Sequence, residues 1–138
     1  MMLINIITLL NKFMRKIKKP KTIARKIVDL MLDKKATNIK IIYVDKLTSL
    51  TDVFVICSSD SSPQARAITN HIKDTLAKEG IKAWHTEGYQ HLKWVLIDYV
   101  NIVINIFNKE SREFYNIERL WADAKIELIE ESFKKNEE

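Results

Sequence analysis

Residues 94–107, WVLIDYVNIVINIF, decide the fold. Two apolar, β-branched runs, Trp94 to Asp98 and Ile102 to Phe107, flank only Tyr99 to Asn101. A link that short permits one arrangement, an antiparallel hairpin. Both runs are almost continuously apolar, which makes them candidates for a sheet centre buried by other elements. Working upstream, Ile39 to Val44 (IKIIYV) and Val53 to Cys57 (VFVIC) read as two more strands, joined through the polar LTSLTD stretch. Ile81 to Trp84 reads as a third strand ahead of the hairpin.

Between these strands the spacing changes to that of helices. From Lys21, the residues Ile23, Ala24, Ile27, Val28 and Met31 fall on one helix face, and Pro20 suits the start. After the strand ending at Cys57, Ser61 or Ser62 can cap orphan amides and Pro63 fits a first turn. The stripe of that helix is Ala65, Ile68, Ile72 and Leu76, and Gly80 ends it. Downstream of Asn108, the segment KESREFYNIERLWADAKIELIEESF is helix-compatible, with Ile117, Leu120, Trp121, Ala124 and Leu128 at helical spacing. The expected order is α-β-β-α-β-β-β-α, an α/β (α+β) chain with a mixed five-stranded sheet flanked by helices. Residues 21–133 form the single domain, 1–20 a basic flexible extension and 134–138 a loose tail.

The composition agrees. At 138 residues, 46% hydrophobic and 30% charged, the chain can bury a core, which excludes a wholly disordered, collagen-like or membrane-bundle protein. One cysteine, Cys57, rules out an intrachain disulfide and favours a reducing compartment. Two glycines and two prolines mean that nearly every turn is made without them.

Charge is divided between an arm and a body. The first 28 residues hold eight Lys or Arg and no acid; residues 29–138 hold 15 Lys or Arg against 18 Asp or Glu. A nucleic-acid interaction therefore rests on the arm, not the body. The arm opens MMLINIITLL, with its basic run after the apolar residues, the reverse of a secretory signal, and it is too short to span a bilayer, which takes about 20 residues. Three readings of the arm stay open: an organelle transit segment, a segment lying on anionic surfaces, or a misplaced start with Met14 as the natural one.

Catalytic chemistry finds little support. Gly80 and Gly88 cannot build a phosphate-binding glycine loop. His71, His85, His91 and Cys57 lack metal-ligand spacing, and the histidines are expected in solvent. Cys57 reads as a small core residue. Asp45, Asp52 and Asp60 sit at separate strand ends with no Asp-x-Asp pair for two-metal nucleotidyl transfer. What stands out is aromatic material in the last third: Trp94, Tyr99, Phe107, Phe114, Tyr115 and Trp121. Core packing accounts for Phe107, Phe114 and much of Trp121, whereas a protein-binding surface competes for Trp94, Tyr99 and Tyr115.

Several segments occur in a telling order: DLMLDKKATNIKIIYVD (29–45), the S-x-x-D-x-F-V-I run from Ser49 to Ile56, the serine-rich helix start at 58–62, Glu87-Gly88, the Trp94 to Asp98 strand and SREFYNIERLWADA (111–124). Together they resemble the Iojap family, the ribosomal silencing factors (RsfS), over roughly Ile23 to Ala124. The resemblance implies a nucleotidyltransferase-like fold without catalytic carboxylates, no enzyme activity, no cofactor, no metal and no small-molecule substrate. It implies binding to the large ribosomal subunit through ribosomal protein L-fourteen, which blocks joining of the small subunit and represses translation. A homodimer is possible, no membrane partner is implied, and the location is bacterial cytoplasm or, alternatively, an organelle matrix. A mildly acidic body suits a basic ribosomal partner. A nucleic-acid-binding module acting through the basic arm is the alternative.

Carried onto this chain, the resemblance puts docking on Trp94, Asp98, Tyr99, Arg112, Tyr115 and Glu118. Trp94 and Tyr115 are the expected anchors; Asp98, Arg112 and Glu118 are the expected charge-assisted contacts. The chain departs from the family pattern at Val100 and Asn101, where a glycine and an acid are usual, at Asn105 in place of a histidine, and at Pro63-Gln64 in place of Arg-His.

Overall fold

The computed structural model describes residues 2–130. The expected tail at 134–138, and the end of the expected domain at 133, lie outside the described residues. Six strands form one mixed sheet: β1 (Thr37–Tyr43), β2 (Val53–Ser59), β3 (His85–Glu87), β4 (Trp94–Asp98), β5 (Ile102–Asn108) and β6 (Lys125–Leu128), in the order β3-β4-β5-β2-β1-β6. The expected hairpin is β4 and β5, antiparallel with Trp94 opposite Phe107 and Asp98 opposite Val103. The centre is the parallel pair β2 and β5, and all other neighbours run antiparallel.

Helices α2 (Pro20–Asp33) and α3 (Ser62–Lys78) cover one face. Their stripes meet Ile39 and Ile41 of β1, Val53, Val55 and Cys57 of β2, and Ile102, Ile104 and Ile106 of β5 in the main core. Burial of Cys57 in this layer pushes its thiol up to about 12, so it stays protonated. Ser61 accepts a hydrogen bond from the Gln64 amide and caps α3. At its other end Gly80 (φ 81) and Ile81 donate back to Ala77 and Leu76, the double bond of a left-handed helix stop.

Three expectations change. The strand placed at Ile81 to Trp84 begins at His85 instead: Ile81 still bonds back to Leu76 in the helix stop, and pairing with β4 starts where His85 faces Asp98. The long C-terminal helix is broken: α4 (Lys109–Tyr115) ends at Asn116, whose left-handed φ of 43° redirects the chain, and one turn of α5 (Ile117–Leu120) follows. The remainder then extends as β6 and adds a sixth strand, because β1 offers an open edge and Ile126 falls opposite Ile42. The segment read as a flexible extension carries α1 (Met2–Met14).

With only two glycines the turns fall on other residues, and Lys19, Lys35, Asn38, Leu92, Val100 and Asn116 all adopt positive φ. Val100 (φ 76) is the costly one, since a β-branched side chain is crowded there. The Asp98 carboxylate holds this turn by accepting from the Val100 amide at 2.7 Å. Next to it Asn101 clasps the arm, donating to the Ile17 carbonyl and accepting from the Ile17 amide, both at 2.9 Å. An acid could accept but not donate, which gives the amide at this departure a physical reason.

Candidate protein-docking face

Side chains alternate across a strand, so the residues between those of the main core face away from α2 and α3. They are Lys40 and Ile42 of β1, Phe54, Ile56 and Ser58 of β2, Val103, Asn105 and Phe107 of β5, and Trp94, Leu96 and Asp98 of β4. Among the described residues, only α4, α5 and the turn after them lie over this second face. They close a small cluster of Ile42, Val44, Ile56 and Phe107, with Ile117, Trp121 and Ala124 packed on it. Toward β4 the cover stops, and Trp94, Leu96, Val103 and Asp98 are half-exposed.

A chain of aromatic rings marks the border. The Trp94 indole stacks on Phe107 with centroids 4.8 Å apart and meets Tyr115 at 4.8 Å; Tyr115 meets Phe114 edge-on at 5.0 Å. The indole N–H of Trp94 donates to the Asn105 side-chain oxygen at 2.9 Å. Ring packing and this one bond hold the indole in place before any partner arrives. Gly88 contributes from behind: its φ is 80°, and a Cβ there would meet the Trp94 carbonyl oxygen at 1.9 Å, so only glycine lets the β3–β4 connection lie this close.

The six expected docking residues separate into two groups. Trp94 and Tyr115 lie together at the aromatic border, with Tyr115 51% exposed. Asp98 is half-exposed at the other end of β4, where its carboxylate already serves the hairpin turn. Tyr99 is a correction: it is 2% exposed, it points into the main core, and burial pushes its hydroxyl up to about 12. The parity of the strand turns it to the helix side, opposite Asp98.

Arg112 and Glu118 are corrected as well, from free docking charges to an internal staple. The Arg112 side chain is 6% exposed. It donates to the Asn38 carbonyl, to Ser58 Oγ at 2.9 Å and to both Glu118 oxygens at 3.1 and 3.4 Å. Lys40 adds a 2.5 Å bond to Glu118. Burial by itself would raise the Glu118 carboxyl, but the bonds from Arg112 and Lys40 outweigh it and hold it below 4.5. The staple ties α4 and α5 to β1 and β2 and thereby sets the height of Tyr115 above the sheet.

Phe114 corrects in the opposite direction. Expected in the core, it is 80% exposed. Leu120, at 77% exposure, joins it. The break at Asn116 accounts for both: α4 ends one residue before it, at Tyr115, and α5 lasts a single turn, so neither Phe114 nor Leu120 is carried onto a buried helix face. Among the histidines, His85 and His91 are exposed as expected; His71 is half-buried and lies 3.0 Å from Asp33. Among the described residues no three of His, Cys, Asp and Glu come together as metal ligands, and no helix is long and apolar enough to cross a membrane.

The comparisons with known proteins agree with one another. A family model described as "Ribosomal silencing factor during starvation" matches residues 17–138. Ribosomal silencing factor RsfS of Halalkalibacterium halodurans is 36% identical over 97 residues, covering 70% of this chain and 83% of the relative. That of Bacillus subtilis is 37% identical over 92 residues, covering 67% and 78%. A crystal structure of a Chromobacterium violaceum protein superposes with a TM-score of 0.74 at 28% identity, covering 76% of this chain and 88% of that one. These matches span most of the chain, and they show that it belongs to the ribosomal silencing factor (RsfS) family.

Proposed function

We propose that this chain docks on the large ribosomal subunit through ribosomal protein L-fourteen and thereby keeps the small subunit from joining. The observation that carries the reading is the Trp94–Tyr115 ring pair, held in place at the edge of an uncovered sheet face. A rigid, amphipathic aromatic pair on the same open face as half-exposed Leu96 and Val103 has the make-up of an interface centre, with exposed Phe114 against Tyr115 at its rim. The body outside the arm carries 15 basic against 18 acidic residues, and that balance favours approach to a basic ribosomal protein. Occlusion of this kind asks for an occupied surface and no reacting group, so the chain acts without catalysis.

Sedimentation with purified large subunits tests it. The wild type is expected to travel with the subunit and to lower the yield of joined ribosomes when small subunits are added. Trp94→Ala is expected to weaken that association by about 2 kcal/mol, roughly 30-fold in Kd. A thermal melt of the variant separates loss of docking from loss of fold. Association that is unchanged in Trp94→Ala removes this face from the site, and no association of the wild type ends the proposal.

A further inference from the structure

The arm presents a surface that the docking face does not use, and its helix lies ahead of the family match, which starts at residue 17. Along α1, Leu3, Ile6, Ile7, Leu10 and Met14 recur at helical offsets on one side with Phe13 alongside, while Asn5, Thr8 and Lys12 share the other. The apolar side is bare: Leu3 is 70% exposed, Phe13 65% and Met14 79%, and no described residue of α1 is buried. Immediately after the helix come Arg15, Lys16, Lys18 and Lys19, all exposed. The first acid in the chain is Asp29. The root of the arm is fixed, because Ile17 is clasped by Asn101 and Arg15 donates to the Ala83 carbonyl at 3.1 Å. An apolar helix face and a block of cations therefore leave the body from one anchored point.

We propose that α1 and the basic run behind it form a peripheral anchor that lays this protein on an anionic lipid bilayer, the helix lying in the interface with its apolar side in the acyl region. A phosphate backbone could use the cations but has nothing to offer Leu3, Ile6, Ile7, Leu10 and Phe13. A groove on another protein could take the apolar side but does not call for an acid-free, lysine-rich continuation. An anionic membrane surface takes both at once. At 13 residues α1 is too short to span the bilayer, so the association is reversible and weakens with salt. The resemblance implied no membrane partner; the exposure of α1 is what argues for one here.

Flotation of the 138-residue chain through a density gradient tests the anchor. The probes are vesicles of equal parts phosphatidylglycerol and phosphatidylcholine, and vesicles of phosphatidylcholine alone. The wild type is expected to float with the anionic vesicles at least about tenfold better than with the neutral ones, and to be released as salt rises. The double variant L10E/F13E places two acids on the exposed apolar side. It is expected to lose at least about tenfold in bound fraction while keeping the wild-type melting temperature and large-subunit association. Absence of flotation with anionic vesicles overturns the anchor, as does equal flotation of wild type and L10E/F13E. Single-stranded RNA that strips the wild type from vesicles and binds L10E/F13E equally well also overturns it, because the arm would then be a nucleic-acid contact.

Discussion

The two faces of the sheet are built from alternate residues of the same strands, yet they end in different states. On the helix-covered face, Ile41, Val55, Ile104 and Ile97 lie in register across β1, β2, β5 and β4, and all four are fully buried. One residue along each strand, the opposite row is Ile42, Phe54, Val103 and Asp98; Ile42 is buried and the other three are half-exposed. Strand pattern alone does not produce the difference, since both rows are largely apolar. It comes from what lies above them. Two helices of 14 and 17 residues reach across one face, whereas a seven-residue helix and a single turn reach only part of the other. Where the cover ends, side chains with core chemistry are left in solvent, which is how a fold reserves a surface for a partner.

The largest effect expected from this contrast is on stability. Ile104→Ala should cost about 3 kcal/mol in urea unfolding, because it opens a cavity in a layer that cannot collapse around it. Val103→Ala, the adjacent residue on the open face, should cost less than about 1 kcal/mol. Equal losses at the two positions would mean that the open face is as tightly organised as the covered one, and the distinction between them would fail.

Binding should show the reverse. Tyr115→Ala removes a ring that is 51% exposed and packed on Trp94, so unfolding stability should drop by less than about 1 kcal/mol while large-subunit affinity falls roughly tenfold. A variant that melts far below the wild type without losing affinity would make Tyr115 a packing residue and shift the docking centre toward Leu96.

How far the sequence could be read follows the same division. The covered face was legible because burial on both strands and helices leaves a strong period: the stripes of α2 and α3, the cap at Ser61, the hairpin and the buried Cys57 all stand where they were expected. Trp94 and Tyr115 stood out in the sequence as amphipathic aromatics beside charged residues, and the family resemblance put both among the docking residues, but neither reading could say that their rings touch. The C-terminal segment was not legible, because Ile117, Leu120, Trp121 and Ala124 satisfy a helical period that a single left-handed Asn116 cancels, and Ile126 and Leu128 satisfy a strand period equally well. Arg112 and Glu118 misled for a different reason. An Arg and a Glu six residues apart look like a solvated helix face, and only the break between α4 and α5 folds them onto each other.

That internal pair gives a smaller, pH-dependent effect. The Glu118 carboxyl is held below its ordinary 4.5 in the folded chain, so on acidification the unfolded chain takes up this proton first. Its contribution is complete above about pH 5 and fades as pH falls through 4.5 toward the folded-state value. Glu118→Gln should therefore lower stability at neutral pH and reduce the slope of stability against pH between about pH 5 and 3. A slope identical to the wild type would show that the carboxyl titrates alike in both states and that the staple contributes no charge term.

The smallest effect should come from the hairpin that joins the two faces. Val100 is 6% exposed and sits at a φ of 76°, so one residue combines favourable burial with an unfavourable backbone. Val100→Gly releases a left-handed strain of about 1–2 kcal/mol and gives up a buried side chain of about 1.5–2 kcal/mol, so the two should nearly cancel. Val100→Ala gives up most of the same burial yet keeps a Cβ in the left-handed region, so it should be the less stable variant by about 1 kcal/mol. The order of the two melting temperatures is therefore diagnostic: glycine above alanine means that strain at the turn is what the buried side chain offsets. Alanine above glycine would mean that the 2.7 Å bond from the Val100 amide to Asp98 already makes this conformation comfortable, and that the missing glycine carries no cost here.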